Sequence, residues 1–198
     1  MSNRDILGMG DSCDATVIRN AGNEDQFGLE GVYTFTCYDA AGNLKWEDTI
    51  GNLTTNVGRK SLLDSYFANT GGGAIVMGLG GPNGSATFTP AYGDTQGSHA
   101  GWYEVGGANA PTYSGTRQTP SFSAATTANP SVLATSAAVV FNMTGSGTVS
   151  GAFINVGGSS TIDNTTGTLF SIGAFTAGNK TVTSGDTINV TYTLSASG

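Results

Sequence analysis

Apolar and polar positions alternate most regularly near the two ends of the chain. In Val32-Tyr33-Thr34-Phe35-Thr36-Cys37-Tyr38, one face carries Tyr33, Phe35 and Cys37 and the other carries Thr34 and Thr36. This is the pattern of a half-buried strand. Asp39-Ala40-Ala41-Gly42-Asn43 supplies turn residues, and the returning stretch 44–50 points Leu44 and Trp46 one way and Lys45 and Glu47 the other. Residues 32–50 therefore read as a hairpin, with Trp46 in its core. At the far end, Ile188, Val190, Tyr192 and Leu194 alternate with Thr187, Asn189, Thr191 and Thr193. That segment is the clearest strand of the chain.

One stretch has helical spacing instead. Leu62, Leu63, Tyr66 and Phe67 fall on one face of a helix over about 56–68. Thr54, Thr55 and Asn56 offer N-cap oxygens, and Gly71-Gly72-Gly73 ends it. The short apolar run 74–79 predicts a buried strand. Residues 80–100, rich in Gly, Pro, Asn, Ser and Thr, predict a long loop, with Gly80 and Gly81 read as turn residues. From about Pro120 the chain reads as successive strands. Ala137, Val139, Phe141 and Met143 alternate with small or polar residues, and 148–156 is apolar on both faces, as a central strand is. Residues 166–175 and 181–182 continue the series, with turns at Gly178-Asn179 and Gly185-Asp186.

These patterns predict a mainly β fold: an antiparallel β-sandwich or jelly roll with one α-helix and an extended N-terminal arm. The expected organisation is an arm over 1–31 and a single β-rich domain over 32–198. Within that domain lie a hairpin-helix subregion, 32–80, and a sandwich, 101–198.

Charge changes the picture. Charged residues make up 11% of the chain, against about 25% in an ordinary globular domain. The net charge is −7, and no basic stripe is available to neutralise phosphates. Nucleic acid is therefore not an expected partner. No apolar run is long enough to span a bilayer, and Met1 to Asp5 opens no apolar signal core. Neither a membrane partner nor export is expected, so Cys13 and Cys37 are expected as free thiols made in a reducing cytoplasm. Between Val105 and Gly198 the acids and bases are Arg117, Asp163, Lys180 and Asp186 alone. A strand-rich half so poor in charge suggests a surface that meets other protein.

Candidate chemistry is sparse. The single histidine, His99, follows Ser98 and lies near Asp94. Neighbours on an extended chain point to opposite sides, so Ser98 and His99 are poorly placed to share a proton. His99 reads as a loop histidine bonded to the backbone. One His and two distant Cys have no zinc-site spacing. Asp163-Asn164-Thr165 and the 39–43 turn could offer oxygens to calcium but read more simply as turns. Asp94, Glu104, Asp163 and Asp186 are the only carboxylates in the β-rich half that a glycosidase could pair. No catalytic, cofactor or metal residue is assigned. Trp46, Trp102 and Tyr103 would form a sugar-stacking platform only if exposed. Trp102 and Tyr103 are adjacent, so one of them faces outward and would serve as an interface anchor.

Three groups of segments carry a resemblance. The first is Gly31-Val32-Tyr33-Thr34-Phe35-Thr36-Cys37-Tyr38-Asp39 with Gly42-Asn43-Leu44-Lys45-Trp46, then Asn52-Leu53-Thr54-Thr55-Asn56-Val57-Gly58 and Leu62-Leu63-Asp64. The second is Gly93-Asp94-Thr95, Ser98-His99-Ala100-Gly101-Trp102-Tyr103-Glu104, Tyr113 and Arg117. The third is Gly151-Ala152-Phe153-Ile154, Gly167-Thr168-Leu169-Phe170 and Ser184-Gly185-Asp186-Thr187-Ile188-Asn189-Val190-Thr191-Tyr192. In motif order the chain resembles tailed-bacteriophage virion structural proteins, with Tyr103 departing from the small polar residue expected after Trp102. The resemblance implies a non-enzymatic virion component with no catalytic residues to carry over.

The second string also has a physical reading. Gly97, Ala100 and Gly101 permit close backbone approach, and Asp94 with Thr95 can close an Asx-type turn. Hydrogen bonds from His99 and Arg117 would hold the loop, which presents Trp102 and Tyr103. Asp94, His99, Trp102, Tyr103 and Arg117 are thus the candidate interface and loop-ordering residues. The expected function is a decoration or cement protein on the capsid surface. It would bind the major capsid protein and self-associate as a dimer or trimer. The alternatives are a tail, neck or baseplate component of the same particle, and a carbohydrate-binding module or fibre tip.

Overall fold

A computed structural model describes residues 27–83 and 87–197. Among these residues the fold is mainly β with one helix, as the alternation predicts. Twelve strands and a helix follow in the order β1 (Gly28–Tyr38), β2 (Leu44–Gly51), β3 (Leu53–Thr54), α1 (Asn56–Phe67), β4 (Ile75–Gly81), β5 (Tyr103–Val105), β6 (Ser131–Ala134), β7 (Val139–Asn142), β8 (Gly147–Val149), β9 (Gly151–Val156), β10 (Thr168–Ala174), β11 (Lys180–Val182) and β12 (Thr187–Ser197).

Two five-stranded sheets face each other. The first runs β2-β1-β12-β6, with β7 pairing β12 beside β6. The second runs β3-β10-β9-β4-β5. A ribbon of β8 and β11 closes one flank, tied on by the Trp46 indole N–H donating to the Thr181 carbonyl at 3.3 Å. All the pairings are antiparallel, and β1 and β12 are the long central pair, in register from Gly28 opposite Ser197 to Tyr38 opposite Thr187.

Of the stretch 1–31 expected as an arm, residues 28–31 are strand instead. Residues 28–31 belong to β1 because β12 offers a backbone partner for each of them. Side-chain alternation, blurred there by Gly28 and Gly31, is not needed to hold them. Residues 1–26, with Cys13, lie outside the described residues. Cys37 is a buried free thiol, which burial and the nearby Asp186 carboxylate raise to a pKa of about 11.

Between the sheets, Tyr33, Phe35, Ile50, Ile188, Val190 and Tyr192 meet Met77, Leu79, Ala152, Ile154 and Phe170. The rings of Tyr33 and Tyr192 lie 4.6 Å apart, and Phe175 meets Phe35 edge-on at 4.8 Å. Tyr33 Oη shares a 2.7 Å hydrogen bond with Ser171 Oγ across the layers. Tyr192 Oη accepts from Asn52 Nδ2 at 2.9 Å. These two hydroxyls are thus partnered, whereas the buried Tyr113 Oη and Thr54 Oγ1 have no hydrogen-bond partner among the described residues.

The second sheet is buried on its other face as well. There Phe153, Leu169 and Ile172 of β9 and β10 pack under Phe88 and Trp102 from the connection before β5. This explains the apolar residues on both faces of β9, but the stretch 148–156 expected as one central strand is two, because 147–149 form β8 of the flanking ribbon and Gly151–Val156 form β9. It also corrects the reading of Gly80 and Gly81 as turn residues, since both lie inside β4. A Cβ on Gly78 would come within 2.4 Å of the Phe153 ring, and one on Gly80 within 2.7 Å of the Phe88 ring. These strand glycines make room for aromatic rings laid across them.

Helix α1 starts where the capping residues predict. Thr55 is its N-cap, and its hydroxyl accepts from the Gly58 amide at 2.9 Å while donating to the Leu169 carbonyl. The helix ends before the glycine triplet, because Asn69 takes the left-handed conformation at φ 53° and stops it. Gly58 is the residue of α1 that is buried. Leu63, Tyr66 and Phe67 are 55%, 81% and 79% exposed.

Candidate functional site

The string around His99 folds as a tight plug. Thr95 and Ser98 exchange backbone hydrogen bonds of 3.0 and 3.2 Å, which reverses the chain. Asp94 Oδ2 accepts from the Ala91 amide at 2.9 Å and from the Trp102 indole N–H at 3.0 Å. His99 stacks on the Trp102 indole with 3.9 Å between ring centroids, and its Nδ1 donates to the Trp102 carbonyl at 2.9 Å. Trp102 is 1% exposed. It lies against Phe88 and Phe153.

Trp102 therefore has no free ring surface with which to anchor a partner, and the outward residue of the pair is Tyr103, which is half-buried. The buried indole is the larger apolar body, and only the inward position offers its N–H the Asp94 carboxylate. No sugar-stacking platform forms either, because Trp102 is covered and Trp46 is held edge-on to Phe175.

Arg117 holds a different loop from the one expected. Its guanidinium forms a bidentate pair with Glu104, Nε to Oε1 at 2.8 Å and Nη2 to Oε2 at 2.6 Å. It also donates to the carbonyls of Ser159 at 3.0 Å and Asn164 at 2.6 Å. The Arg117 amide donates to the Ser160 carbonyl at 2.8 Å, and the Asp163 amide donates to Glu104 Oε2 at 3.0 Å. Arg117 is thus the pin of the 157–167 connection. Both side chains are nearly sealed from water, 0% and 3% exposed. Burial raises the Glu104 carboxyl above its ordinary value, and the hydrogen bonds and charge of Arg117 only partly offset this.

Between the plug and that connection lies a cleft of about 210 Å3, lined by His99, Tyr103, Glu104, Asn109 and Asp163 among others. The structure thus gathers His99 and Tyr103 at the rim, with Glu104 in the wall and Asp94 and Arg117 behind. Ligand pockets usually run from about 300 Å3 upward, and the Asp163 and Asn164 side chains here are already paired. Asp163 Oδ2 accepts from the Ala108 amide at 2.8 Å, and Asn164 Oδ1 accepts from the Thr166 amide at 2.9 Å. In the other turn considered for calcium, Asp39 Oδ1 accepts from the amides of Ala41 and Asn43. Among the described residues, no three His, Cys, Asp or Glu side chains come together as a metal site needs. Ser98, His99 and Asp94 make no catalytic relay, since His99 Nδ1 is bonded to a carbonyl and Asp94 to Trp102.

A second region presents a surface rather than a cleft. The outer face of the first sheet carries Val32, Thr34 and Thr36 of β1, Asn189, Thr191 and Thr193 of β12, and Val140 of β7. The register places Val32 opposite Thr193, Thr34 opposite Thr191, and Thr36 and Val140 opposite Asn189. Val32 and Val140 are 38% and 41% exposed. The charges of this face lie at its margin: exposed Glu47 on the edge strand β2 stands opposite Thr36, and exposed Glu30 near the start of β1 stands opposite Ser195. The four ionisable groups after Val105 are held elsewhere: Arg117 by Glu104, Asp186 by Lys45 at 2.5 Å, Lys180 by Asp48 at 3.3 Å and Asp163 by the Ala108 amide.

Sequence reasoning missed Glu104 as the partner of Arg117. The available signal was the isolation of Arg117 in a stretch without charge, which asks for a buried counter-ion. It also missed Asn155, wholly buried, whose Nδ2 donates to Gln96 Oε1 at 2.8 Å and braces the plug against β9. A lone Asn in an apolar strand was the only sign of it. Comparison with protein-family models, curated proteins and solved structures finds no significant match to this chain. The likeness to tailed-phage virion proteins rests on the motif strings alone. No helix among the described residues is long and apolar enough to cross a membrane.

Proposed function

We propose that this chain is a structural component of a tailed-phage particle that binds the capsid shell as a decoration or cement protein. The observation that carries the reading is the Thr/Val/Asn centre of the outer face of the first sheet, formed by β1, β12 and β7, with Glu30 and Glu47 at its margin. Interface cores are depleted in charge, and here the ionisable groups after Val105 are tied up elsewhere in the fold. Threonine hydroxyls can exchange water for a partner's polar groups at little cost, and Val32 and Val140 add apolar area. The motif order of the three segment groups supports the virion setting. The hydrogen bonds of Asp94 to the Trp102 indole, of His99 Nδ1 to the Trp102 carbonyl and of Glu104 to Arg117 support a mechanical role for these side chains.

On this reading the major capsid protein is the partner, and the added interface raises the barrier to shell rupture. Thr191→Arg tests it by placing a charge at the centre of the face on an exposed strand position, where stability changes little. The variant should fold normally and fail to co-sediment with particles lacking the native protein, and those particles should lose heat tolerance. Wild-type binding by Thr191→Arg, or unchanged heat tolerance without the protein, would overturn the proposal.

A further inference from the structure

Helix α1 follows directly on β3, the edge strand of the second sheet. Beside that edge lies a depression of about 300 Å3, at the lower end of the range of small-molecule sites. Leu53 of β3, Leu62 and Leu63 of α1, Leu29 of β1 and the Phe27 ring give it apolar walls. Asn52 is a fixed part of the lining, because its side chain already serves the Gly31 amide and the Tyr192 hydroxyl. Two other polar groups in the lining are not spent in this way. The first is the Arg59 guanidinium. It lies 5.3 Å over the Tyr92 ring, also in the lining, and donates from Nη2 to Asn56 Oδ1 at 2.8 Å. These contacts hold it in place and leave Nε and Nη1 unused. Among the described residues every other Lys and Arg has a carboxylate: Lys45 has Asp186, Lys60 has Asp64, Arg117 has Glu104 and Lys180 has Asp48. The second is Thr54, 9% exposed, whose Oγ1 is buried without a partner. A buried hydroxyl left so is costly and is ordinarily satisfied.

We infer that this depression is a binding site for a small carboxylate with an apolar body, of the medium-chain fatty acid kind. Arg59 supplies the missing charge pair, since its planar fork matches a carboxylate and its stacking on Tyr92 fixes it beforehand. The Thr54 hydroxyl, on turning about its Cα–Cβ bond, donates to the same ligand and loses its orphan state. The apolar body covers the leucine walls and takes their surface out of water. A purely apolar molecule would leave Arg59 and Thr54 as they are, and a bare anion would leave the leucines wet. The combination of apolar walls with a few unspent polar groups is what selects an amphiphilic acid.

This inference does not depend on the virion reading and is tested on the isolated full-length chain by calorimetric titration with octanoate. Binding should be saturable. Octanol, the same chain without the charge, and acetate, the charge without the chain, should each bind at least about tenfold more weakly. Arg59→Gln should weaken octanoate by a similar factor with an unchanged urea midpoint, since the residue is exposed. Lys60→Gln, the next residue along the helix and the partner of Asp64, should bind octanoate as the wild type does. Thr54→Val removes the orphan hydroxyl, so it should weaken octanoate without lowering the urea midpoint. Absence of saturable octanoate binding would overturn the inference, and so would octanol or acetate binding as tightly as octanoate. The same holds if Arg59→Gln or Thr54→Val binds octanoate like the wild type, or if Lys60→Gln loses as much as Arg59→Gln.

Discussion

The 87–102 connection and helix α1 both cover the second sheet, and they differ in the opposite sense from what their regularity suggests. The irregular connection buries Trp102 completely and uses its indole N–H, its carbonyl and the stacked His99 ring to do so. The regular helix is well capped, yet leaves Tyr66 and Phe67 almost wholly exposed. The difference lies in where backbone hydrogen bonds go. The interior of a helix satisfies its own amides and carbonyls wherever it sits, so little forces α1 inward beyond its capped start at Thr55 and Gly58. A loop has no such internal ladder. The Asp94, Thr95 and Ser98 groups must find partners locally, and in doing so they draw Trp102 down onto Phe153.

The largest effect expected from this difference is at the sealed side. Arg117→Met leaves Glu104 buried beside Phe153 without its counter-ion, and chemical denaturation should show a loss of about 3–5 kcal/mol. Arg117→Met combined with Glu104→Leu should recover much of that loss. A double variant as unstable as the single one would mean that the bonds to Ser159 and Asn164, not the ion pair, hold the connection. Trp102→Ala should cost a similar amount, about 3–5 kcal/mol. An equal loss from Tyr66→Ala, at 81% exposure, would erase the contrast between the two covers.

Smaller effects sharpen the account. Gly80→Ala pushes a methyl into the Phe88 ring and should cost about 1–3 kcal/mol through overpacking, read as a lower urea midpoint with unchanged slope. Acid should weaken the fold partly through Asp186. Burial raises its carboxyl, but the Lys45 ammonium and the Thr183 amide and hydroxyl more than reverse this, holding it below the ordinary range. The unfolded chain thus binds the proton first. Stability from Asp186 is complete above the unfolded value of about 4 and is lost as pH falls through the folded one. Asp186→Asn should flatten the fall of the urea midpoint below that pH. Last, Phe67→Ser at the end of α1 should change stability by no more than about 0.5 kcal/mol, measured by the same titration.

Strand alternation made the 32–50 hairpin and the final strand legible, and apolarity on both faces of 148–156 marked the buried β9 without showing that β8 splits off into the flanking ribbon. A hydroxyl three residues before Gly58 made the helix start legible. Where residues act through neighbours distant in sequence, the pattern was silent. Gly80 looks like a turn glycine until Phe88 is placed across it. That one of Trp102 and Tyr103 faces outward followed from adjacency. Which one it is depends on Asp94, whose carboxylate meets the indole only after the Thr95–Ser98 reversal. Arg117 signalled a buried partner, but Glu104 lies on β5 and is brought to it only by the pairing of β5 with β4. The helical spacing of Leu62, Leu63, Tyr66 and Phe67 marked an apolar face correctly and could not tell that the described domain leaves much of it open.

The central claim, a shell-binding particle component, is tested most directly by counting copies of this chain relative to the major capsid protein in purified particles by quantitative mass spectrometry. The account predicts a ratio near unity or a simple fraction of it. Absence from the particle, or a ratio far below unity as in a neck or tail, would contradict it.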